Sequence, residues 1–403
     1  MRKRIFNSMS LSLFILPLLL SCSQSKNGSD NSQGNYLGKY DSMTFMIDPE
    51  TDSEGMSLNQ YSVDSVCSLV LPDGINDIVN SKFVVDNGYI YIMDSKINNT
   101  IFTFDYSGHF ISKSGARGRA KDEFIGYPTD FFVNDQKDIY AFDRDGQKVL
   151  IFNKGTFIDK IANKYVSHSF GMTSTGNFMF CINNMPMSES DSDPSFVIYN
   201  HNLENEKVFI PSKKYPYIYC PHEQTFFSNG KRISHIPLLA DSVLVFKEDN
   251  LEKIVRFNFN CGFLIDEYPD FVQHKPNEDP REKMKKVNEY KGVHALCSYQ
   301  ETDGFILLEY DYQSSIKRWL YNKKTKQAIS GLGLFDGACP FTKYYLKGNQ
   351  IIAYVSPESI DAMRKYYNGG EGNMKDFKKS STQVKGLFEG KIATPALFYI
   401  TIK

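Results

Sequence analysis

Three basic side chains on one short segment are the clearest candidates for binding chemistry in this sequence. Arg117, Arg119 and Lys121 lie in G-A-R-G-R-A-K-D-E-F-I-G-Y, and Tyr127 ends the same segment as a fourth candidate. An arginine guanidinium can hold a carboxylate through two parallel hydrogen bonds, so the segment could bind a carboxylate or an acidic sugar. The alternative is a solvated charged loop without a ligand.

A second set of candidate binding residues lies in K-K-Y-P-Y-I-Y-C-P-H-E. Tyr217, Tyr219 and His222 could stack on a sugar ring, because a large aromatic surface with polar tips suits such a ligand. The same alternation also fits an irregular edge segment that packs its own tyrosines. Together with the basic segment, these residues form the predicted ligand-binding site.

Familiar catalytic motifs are missing from the sequence. It contains neither H-E-x-x-H nor G-x-S-x-G, and Gly331 and Gly333 are not followed by the third glycine of a dinucleotide-binding loop. Four histidines near predicted inner strands could converge as metal ligands, namely His168, His222, His235 and His294. Histidines spaced so widely more often find separate partners. The sequence therefore predicts no catalytic residue, no metal site and no cofactor.

The N-terminus has the features of a bacterial lipoprotein signal. Arg2, Lys3 and Arg4 precede an apolar stretch over residues 11–20, which is too short to span a bilayer as a mature helix. The following L-L-S-C resembles a lipobox and predicts that Cys22 is acylated. Residues 1–22 are thus a predicted signal segment with the lipidation site. The polar, Ser- and Asn-rich residues after it predict a flexible tether within an N-terminal extension, residues 23–60.

Charge and cysteine content narrow the possible partners. The formal net charge of −1 becomes −4 without the three basic N-terminal residues, so nucleic acid is not an expected partner. The membrane would be contacted only through the lipid. The six cysteines after Cys22 are scattered without a C-x-x-C pair. This favours free thiols, although export to an oxidising compartment leaves the disulfide state open.

An internal repeat predicts the fold that must position these residues. D-N-G-Y-I-Y-I-M-D and K-D-I-Y-A-F-D are alike, and the phenylalanines that follow them, Phe110 and Phe157, stand 47 residues apart. That period is typical of a four-stranded propeller blade rather than of a helical or leucine-rich repeat. Fainter copies continue at the same period through Asn153, Asn200 and Lys247. Alternating apolar residues give each strand faces to bury.

Counting these copies predicts an all-β, six-bladed β-propeller over residues 61–403 with short helical insertions. The last copy ends at residues 396–402 without an outer strand after it. The strand-like residues 66–71 could supply that strand, so that both ends of the chain share one sheet. A seven-bladed propeller is the alternative, because residues 36–56 are ambiguous.

The predicted topology also indicates which loops lie together. The loops between the second and third strand of each blade emerge on the same side as the connections between blades, and we call this side the loop-rich face. Residues 115–128, with the basic segment, and residues 211–222, with the tyrosines, are both such connections. Helices beginning near Pro280 and Pro357, where proline suits a first helical turn, would lie on this face.

The connection with the basic segment resembles those of NHL-type propellers. In that family glycines permit a tight path, an acid before an aromatic ties the loop and a proline starts the next inner strand. The matching positions are Gly115, Gly118, Glu123, Phe124, Pro128 and Asp130. With the lipobox and the C-terminal A-T-P-A-L-F-Y-I-T-I-K, the chain resembles the largely uncharacterised six-bladed NHL/TolB-like propeller lipoproteins of Bacteroidetes. This resemblance implies an outer membrane lipoprotein on the periplasmic or cell-surface side.

The leading hypothesis is a lipid-anchored envelope propeller that binds a glycan, peptide or protein at its loop-rich face without catalysis. The alternative is a hydrolase or lyase that acts on polysaccharide in the central channel. A third class is an assembly scaffold without a pocket. Converging carboxylates or histidines would favour an enzyme, an aromatic groove would favour binding, and a flat apolar patch would favour assembly.

Overall fold

Six β-sheets hold nearly all the secondary structure in the part of the chain that the computed structural model describes. The described residues are 40–50, 61–86, 88–163, 167, 169–182, 196–204, 206–209, 225–237, 240–267, 279–331, 343–361 and 394–403. The innermost strands of successive blades contact one another around a ring. The predicted six-bladed propeller is therefore confirmed.

The first half of the chain supplies two N-terminal strands and three four-stranded blades. The N-terminal strands are β1 (Asp41–Ile47) and β2 (Tyr61–Ser68). Blade 1 contains β3 (Lys82–Asp86), β4 (Tyr89–Asp94), β5 (Thr100–Asp105) and β6 (Phe110–Ser114). Blade 2 contains β7 (Pro128–Val133), β8 (Asp138–Asp143), β9 (Lys148–Asn153) and β10 (Thr156–Ala162). Blade 3 contains β11 (Ser169–Met172), β12 (Phe178–Cys181), β13 (Phe196–Tyr199) and β14 (Lys207–Phe209).

The second half supplies the other three blades and two helices. Blade 4 contains β15 (Phe226–Asn229), β16 (Arg232–His235), β17 (Ser242–Lys247) and β18 (Asn250–Phe259). The helices that follow it are α1 (Leu264–Glu267) and α2 (Pro280–Glu289). Blade 5 contains β19 (Val293–Glu301), β20 (Phe305–Tyr312), β21 (Ser315–Asn322) and β22 (Gln327–Gly331). Blade 6 contains β23 (Lys343–Lys347), β24 (Gln350–Val355) and β25 (Ala396–Ile402).

The N-terminal strand β2 closes the ring as the outermost strand of blade 6. It pairs antiparallel with β25, so that Tyr61 lies opposite Ile402 and Ser68 opposite Ala396. The predicted closure is confirmed, but the strand lies slightly earlier than residues 66–71. After Ser68 the chain leaves blade 6 for blade 1, where Leu69 is fully buried in the core between these two blades.

Strand β1, which the sequence left ambiguous, adds a fifth strand to blade 4 rather than a seventh blade. It runs parallel to β18, with Asp41 opposite Lys253 and Ile47 opposite Phe259. The ring of Phe45 packs edge-on against Trp319 of blade 5 at 5.0 Å between centroids. Blade 4 and blade 5 are therefore joined by this strand, and Trp319 is a buried core residue.

The apolar cores lie between neighbouring blades. The rings of Phe132 on β7 and Phe170 on β11 are 5.5 Å apart, and those of Phe83 on β3 and Tyr354 on β24 are 6.5 Å apart. Strands with alternating apolar residues present one face to each neighbouring blade, so both faces are buried. This packing is why a single blade would not be stable alone.

Side-chain caps recur at the ends of the third strands in blades 1, 3 and 5. The side chains of Asp105 and Asn200 each accept backbone N–H bonds from residues two and four positions later, and Asn322 accepts those of Lys324 and Thr325. Such side-chain caps stabilise the turn into the outer strand. The same type of turn thus follows the third strand in three different blades.

Both predicted helices begin, and four of the cysteines lie, within the described residues. Helix α2 begins at Pro280 as predicted, and residues 357–361 are helical after Ser356. Cys67, Cys181, Cys261 and Cys297 are free thiols, whereas Cys220 and Cys339 lie outside the described residues. Among the helices described, none has the length and apolar character required to span a bilayer.

Candidate functional site

The connection between blades 1 and 2 is held by its own backbone. The N–H of Gly118 donates to the carbonyl of Phe124 at 2.8 Å, and the N–H of Phe124 donates to the carbonyl of Ala116 at 2.8 Å. The carboxylate of Glu123 accepts the N–H of Ala120 at 2.8 Å, while the Phe124 ring is fully buried. The acid-aromatic pair thus ties this loop as the sequence resemblance implied.

Two glycines make this tight path possible. Gly115 has a φ of +74°, a conformation that side chains other than glycine rarely adopt, and a Cβ there would overlap the Phe124 ring. A Cβ at Gly118 would overlap the Glu123 carboxylate. Both positions therefore need glycine so that the loop can close around its two anchoring side chains.

A buried carboxylate joins this connection to the neighbouring loop of blade 2. Asp143, at the end of β8, accepts the N–H of Ile125 at 2.9 Å and the N–H of Gly146 at 3.0 Å. The Lys148 ammonium lies 3.6 Å from the same fully buried carboxylate and donates to the carbonyl of Glu123 at 2.8 Å. The interblade connection and the second-to-third-strand loop therefore form one hydrogen-bonded unit.

Blade 1 repeats this arrangement with Asp94. Its carboxylate accepts the N–H of Val79 from the preceding connection at 3.2 Å. It also accepts the N–H groups of Lys96 and Ile97 at 2.9 and 2.8 Å and the side-chain amide of Asn98 at 2.7 Å. The two carboxylates confirm that connections and second-to-third-strand loops share one face. They stabilise the loops, and neither carboxylate is exposed to a ligand.

The three predicted cations project from this fixed loop into solvent. Arg117, Arg119 and Lys121 are exposed, and none of them forms an ion pair with another residue that the structure describes. The Lys121 ammonium lies 5.6 Å from the centre of the Phe157 ring on the outer strand of blade 2. The guanidinium groups of both arginines are thus available to an external anion.

Tyr127 occupies a different setting from the three cations. Its ring is half-buried, and its hydroxyl accepts a hydrogen bond from the guanidinium of Arg144 at 3.1 Å. The same guanidinium lies 5.8 Å from the centre of the ring. Arg144 is not among the site residues predicted from the sequence. The contact depends on the approach of two separate loops, which no local motif encodes.

Exposed apolar side chains accompany the cations on this face. Ile125, in the same connection, is 53% exposed, and Ile97 in the neighbouring loop of blade 1 is 56% exposed. Val79 is exposed as well, and its N–H shares the Asp94 carboxylate with that of Ile97. The face therefore offers both positive charge and apolar surface on loops whose backbone is fixed.

Part of the predicted site lies outside the described residues. Tyr217, Tyr219 and His222 belong to the connection before blade 4, and Cys22 belongs to the N-terminal signal. Their roles stay predictions.

The innermost strands carry a buried ion pair between blades 1 and 2. The Lys82 ammonium on β3 lies 2.5 Å from the Asp130 carboxylate on β7 and 4.0 Å from the centre of the Phe132 ring. Burial lowers the pKa of Lys82, and the nearby carboxylate partly offsets this. This pair joins two blades, since each charge is satisfied by a group of the neighbouring blade.

Of the four histidines considered as metal ligands, the structure describes His235 and His294, and these two have separate partners. His235 stacks on Phe226 at 4.4 Å, and burial lowers its pKa to about 3, so it is neutral at physiological pH. Both ring nitrogens of His294 face acceptors, the Asp311 carboxylate at 3.6 Å and the carbonyl of Tyr290 at 3.2 Å. Its pKa is raised, chiefly by Asp311. Within the described ranges no three metal-binding side chains converge.

Comparisons with known proteins identify a family for this chain and a solved structure with a similar fold. A family model described as a domain of unknown function, DUF4934, matches residues 75–387. A candidate exported protein from Bacteroides fragilis has a similar structure. The TM-score is 0.68, and the sequences are 16% identical over 90% of this chain and 99% of that protein. At that identity the likeness concerns the fold alone.

Two further structures are more distant. A member of the DUF4221 family from Bacteroides vulgatus has a TM-score of 0.48 and 11% identity over 86% of this chain and 100% of its own. Virginiamycin B lyase from Staphylococcus aureus has a TM-score of 0.40 and 7% identity over 85% of this chain and 100% of its own. Neither likeness is strong enough to support a functional argument. The search of curated proteins found no match.

Proposed function

The chain belongs to the DUF4934 family, and we propose that it is an exported, lipid-anchored propeller that binds an acidic protein or peptide segment at its loop-rich face. One observation carries this proposal. The side chains of Arg117, Arg119 and Lys121 are exposed and have no ion-pair partners among the described residues. The backbone of their loop is held by hydrogen bonds to the carboxylates of Glu123 and Asp143.

The fixed backbone supports binding because it lowers the cost of ordering the site. A mobile loop would lose conformational entropy when a ligand immobilised it. Here the hydrogen bonds of Glu123 and Asp143 already hold the connection. A partner therefore needs to order only the side chains of the basic residues.

The neighbouring apolar side chains favour a peptide over a small anion. Ile97 and Ile125 are both more than half exposed beside or within the basic connection. An interface gains most of its affinity from such apolar contacts, whereas charges mainly add specificity and faster association. A segment that carries both acidic and aliphatic residues would satisfy the two kinds of surface together.

Removal of two positive charges from the loop-rich face tests whether this face binds an acidic peptide. We expect the full-length chain, purified in detergent, to bind a peptide of alternating glutamate and leucine, and Arg117→Gln/Arg119→Gln to weaken this binding about tenfold. Each exposed ion pair contributes about 0.2–1 kcal/mol, and a tenfold loss corresponds to about 1.4 kcal/mol. Titration calorimetry at several salt concentrations provides the measurement, since the affinity of the unmodified chain should fall with salt.

Two controls make this test specific. Lys324→Gln removes an exposed charge on the opposite face, beyond the third strand of blade 5, and should leave the affinity unchanged. A peptide of alternating glutamine and leucine should bind weakly to every variant. Equal affinity of the unmodified chain and the double variant for the glutamate peptide would refute the proposal for this face.

The anchor is tested at Cys22. The basic residues before the apolar stretch and the L-L-S-C sequence support acylation of this cysteine. We expect the full chain, expressed in a bacterium, to incorporate labelled palmitate and to partition into detergent, and Cys22→Ala to lose both properties. Cys67→Ala, a change at a free thiol within the propeller, is the control. Equal labelling of the Cys22 variant would exclude this anchor.

A further inference from the structure

A groove of about 710 Å³ lies where the ends of the chain close the ring, on the side opposite the loop-rich face. We call it the seam groove. Its walls come from β2, β23, β24 and β25 of blade 6 and from the turn after β5 of blade 1. The lining residues are Ser65, Val66, Cys67, Ser68, Tyr106, Ser107, Lys347, Gln350 and Tyr399. The volume lies within the range of small-molecule sites, about 300–1,000 Å³.

The lining of the seam groove contains one charge, the ammonium of Lys347, and no carboxylate. This ammonium donates a hydrogen bond to the hydroxyl of Tyr106 at 2.8 Å and forms no ion pair with a described residue. The Asp64 carboxylate on β2 is already engaged by Thr401 at 2.5 Å and by the amide of Gln350 at 3.3 Å. A bound anion would therefore meet an ammonium that is not paired with any described carboxylate.

The aromatic walls define the shape of a suitable ligand. The rings of Tyr106 and Tyr399 meet edge-to-face at 6.5 Å between centroids, and Tyr106 is 39% exposed. A tyrosine ring offers a flat apolar face with a polar tip, which matches the apolar face and hydroxyl rim of a sugar ring. Hydroxyl groups of three serines and the side-chain carbonyl of Gln350 can pair with those sugar hydroxyls.

We infer that the seam groove binds a sugar residue that carries a carboxylate, such as a hexuronic acid unit. Lys347 would pair with the carboxylate, and Tyr106 would stack on the ring. A single ammonium suits a singly charged carboxylate better than a phosphate, for which proteins typically gather several donors or an arginine fork. This site is separate from the loop-rich face and does not depend on the function proposed for it.

The test uses digalacturonate as the probe and the full-length chain in detergent. We expect saturable binding by titration calorimetry, with the affinity at least tenfold lower in Lys347→Gln and in Tyr106→Ala. The methyl-esterified disaccharide should bind at least tenfold more weakly than the acid, because it lacks the charge that Lys347 recognises. Inorganic phosphate should not compete. The chain should also melt at a higher temperature with the acid present, because a ligand that touches both β2 and β25 favours the closed ring.

Matched variants separate this site from the loop-rich face. Lys231→Gln removes an exposed lysine from the corresponding first-to-second-strand turn of blade 4 and should bind digalacturonate like the unmodified chain. Arg117→Gln/Arg119→Gln should do so as well. The inference is overturned if the unmodified chain does not bind, if Lys347→Gln binds equally well, or if phosphate competes. Loss of binding only in the double arginine variant would place the sugar on the loop-rich face and would also overturn it.

Discussion

A chain that starts at Pro72, and so lacks β2, is expected to lose cooperative folding. Strand β2 pairs along its length with β25, and it buries Tyr61 and Val63 in the core between blades 5 and 6. The truncation also removes Leu69, which is fully buried between blades 6 and 1. Burying one aliphatic side chain contributes about 1.5–3 kcal/mol, so the summed loss is comparable to a typical folding free energy of about 5–15 kcal/mol.

The backbone argument for this truncation is independent of side chains. Without β2, β25 becomes an exposed edge strand with unpaired N–H and C=O groups, and the ring has no closing pair. We therefore expect aggregation or a broad, non-cooperative urea transition, measured by far-ultraviolet circular dichroism and light scattering. A sharp transition at the midpoint of the full chain would show that closure by β2 is not required.

A shorter truncation provides the control. A chain that starts at Tyr61 keeps β2 but lacks β1, with Phe45 and Ile47, and should remain cooperative with a lower midpoint. Trp319 is the single tryptophan, and its ring contacts Phe45. Removal of β1 should therefore change the tryptophan emission of the folded state, which identifies a local change at blade 5. A chain that starts at Tyr40 should match the full chain in midpoint and emission.

Asp143→Ala is expected to lower the free energy of unfolding by about 3–5 kcal/mol, as is typical when one partner of a buried charge pair is removed. The change leaves the N–H groups of Ile125 and Gly146 without their acceptor and the Lys148 ammonium without its carboxylate. Urea unfolding followed by circular dichroism measures this loss. Asp122→Ala, an exposed acid in the same connection, should change stability by less than about 0.5 kcal/mol.

The Asp143→Ala variant is also expected to weaken peptide binding at the loop-rich face. When the Asp143 carboxylate is absent, the connection that carries Arg117 and Arg119 loses one of its anchors. We expect the amide of Ile125 to exchange with solvent faster than in the unmodified chain, and the affinity for the glutamate peptide to fall. Unchanged stability together with unchanged exchange at Ile125 would show that Asp143 does not hold the connection.

Much of the fold follows from local patterns in the sequence. Alternating apolar residues determine the strands, and the side-chain caps at Asp105, Asn200 and Asn322 mark the same turn in different blades. The loop that carries the basic residues also depends on local features, since its anchoring residues Gly115 and Glu123 are only eight positions apart in the sequence. Such features depend on neighbours in the chain, so reading them requires no knowledge of distant contacts.

Other features depend on contacts that the sequence does not display. The pairing of β1 with β18 joins residues more than two hundred positions apart, and residues 66–71 divide between two blades because Leu69 packs across the seam. The anchoring role of Asp143 was not predicted from the sequence either. The sequence around an aspartate at a strand end does not show whether its carboxylate is exposed or buried.

The blade period, the count of six, the closure by an N-terminal strand and the loop that presents the basic residues all follow from the amino-acid sequence. The three-dimensional structure adds that Arg117, Arg119 and Lys121 have no described counter-ion and that Tyr106, Lys347 and Tyr399 share a groove. The physical reason is ring closure. Strand and turn preferences act over a few residues, whereas the seam brings together side chains from opposite ends of the chain.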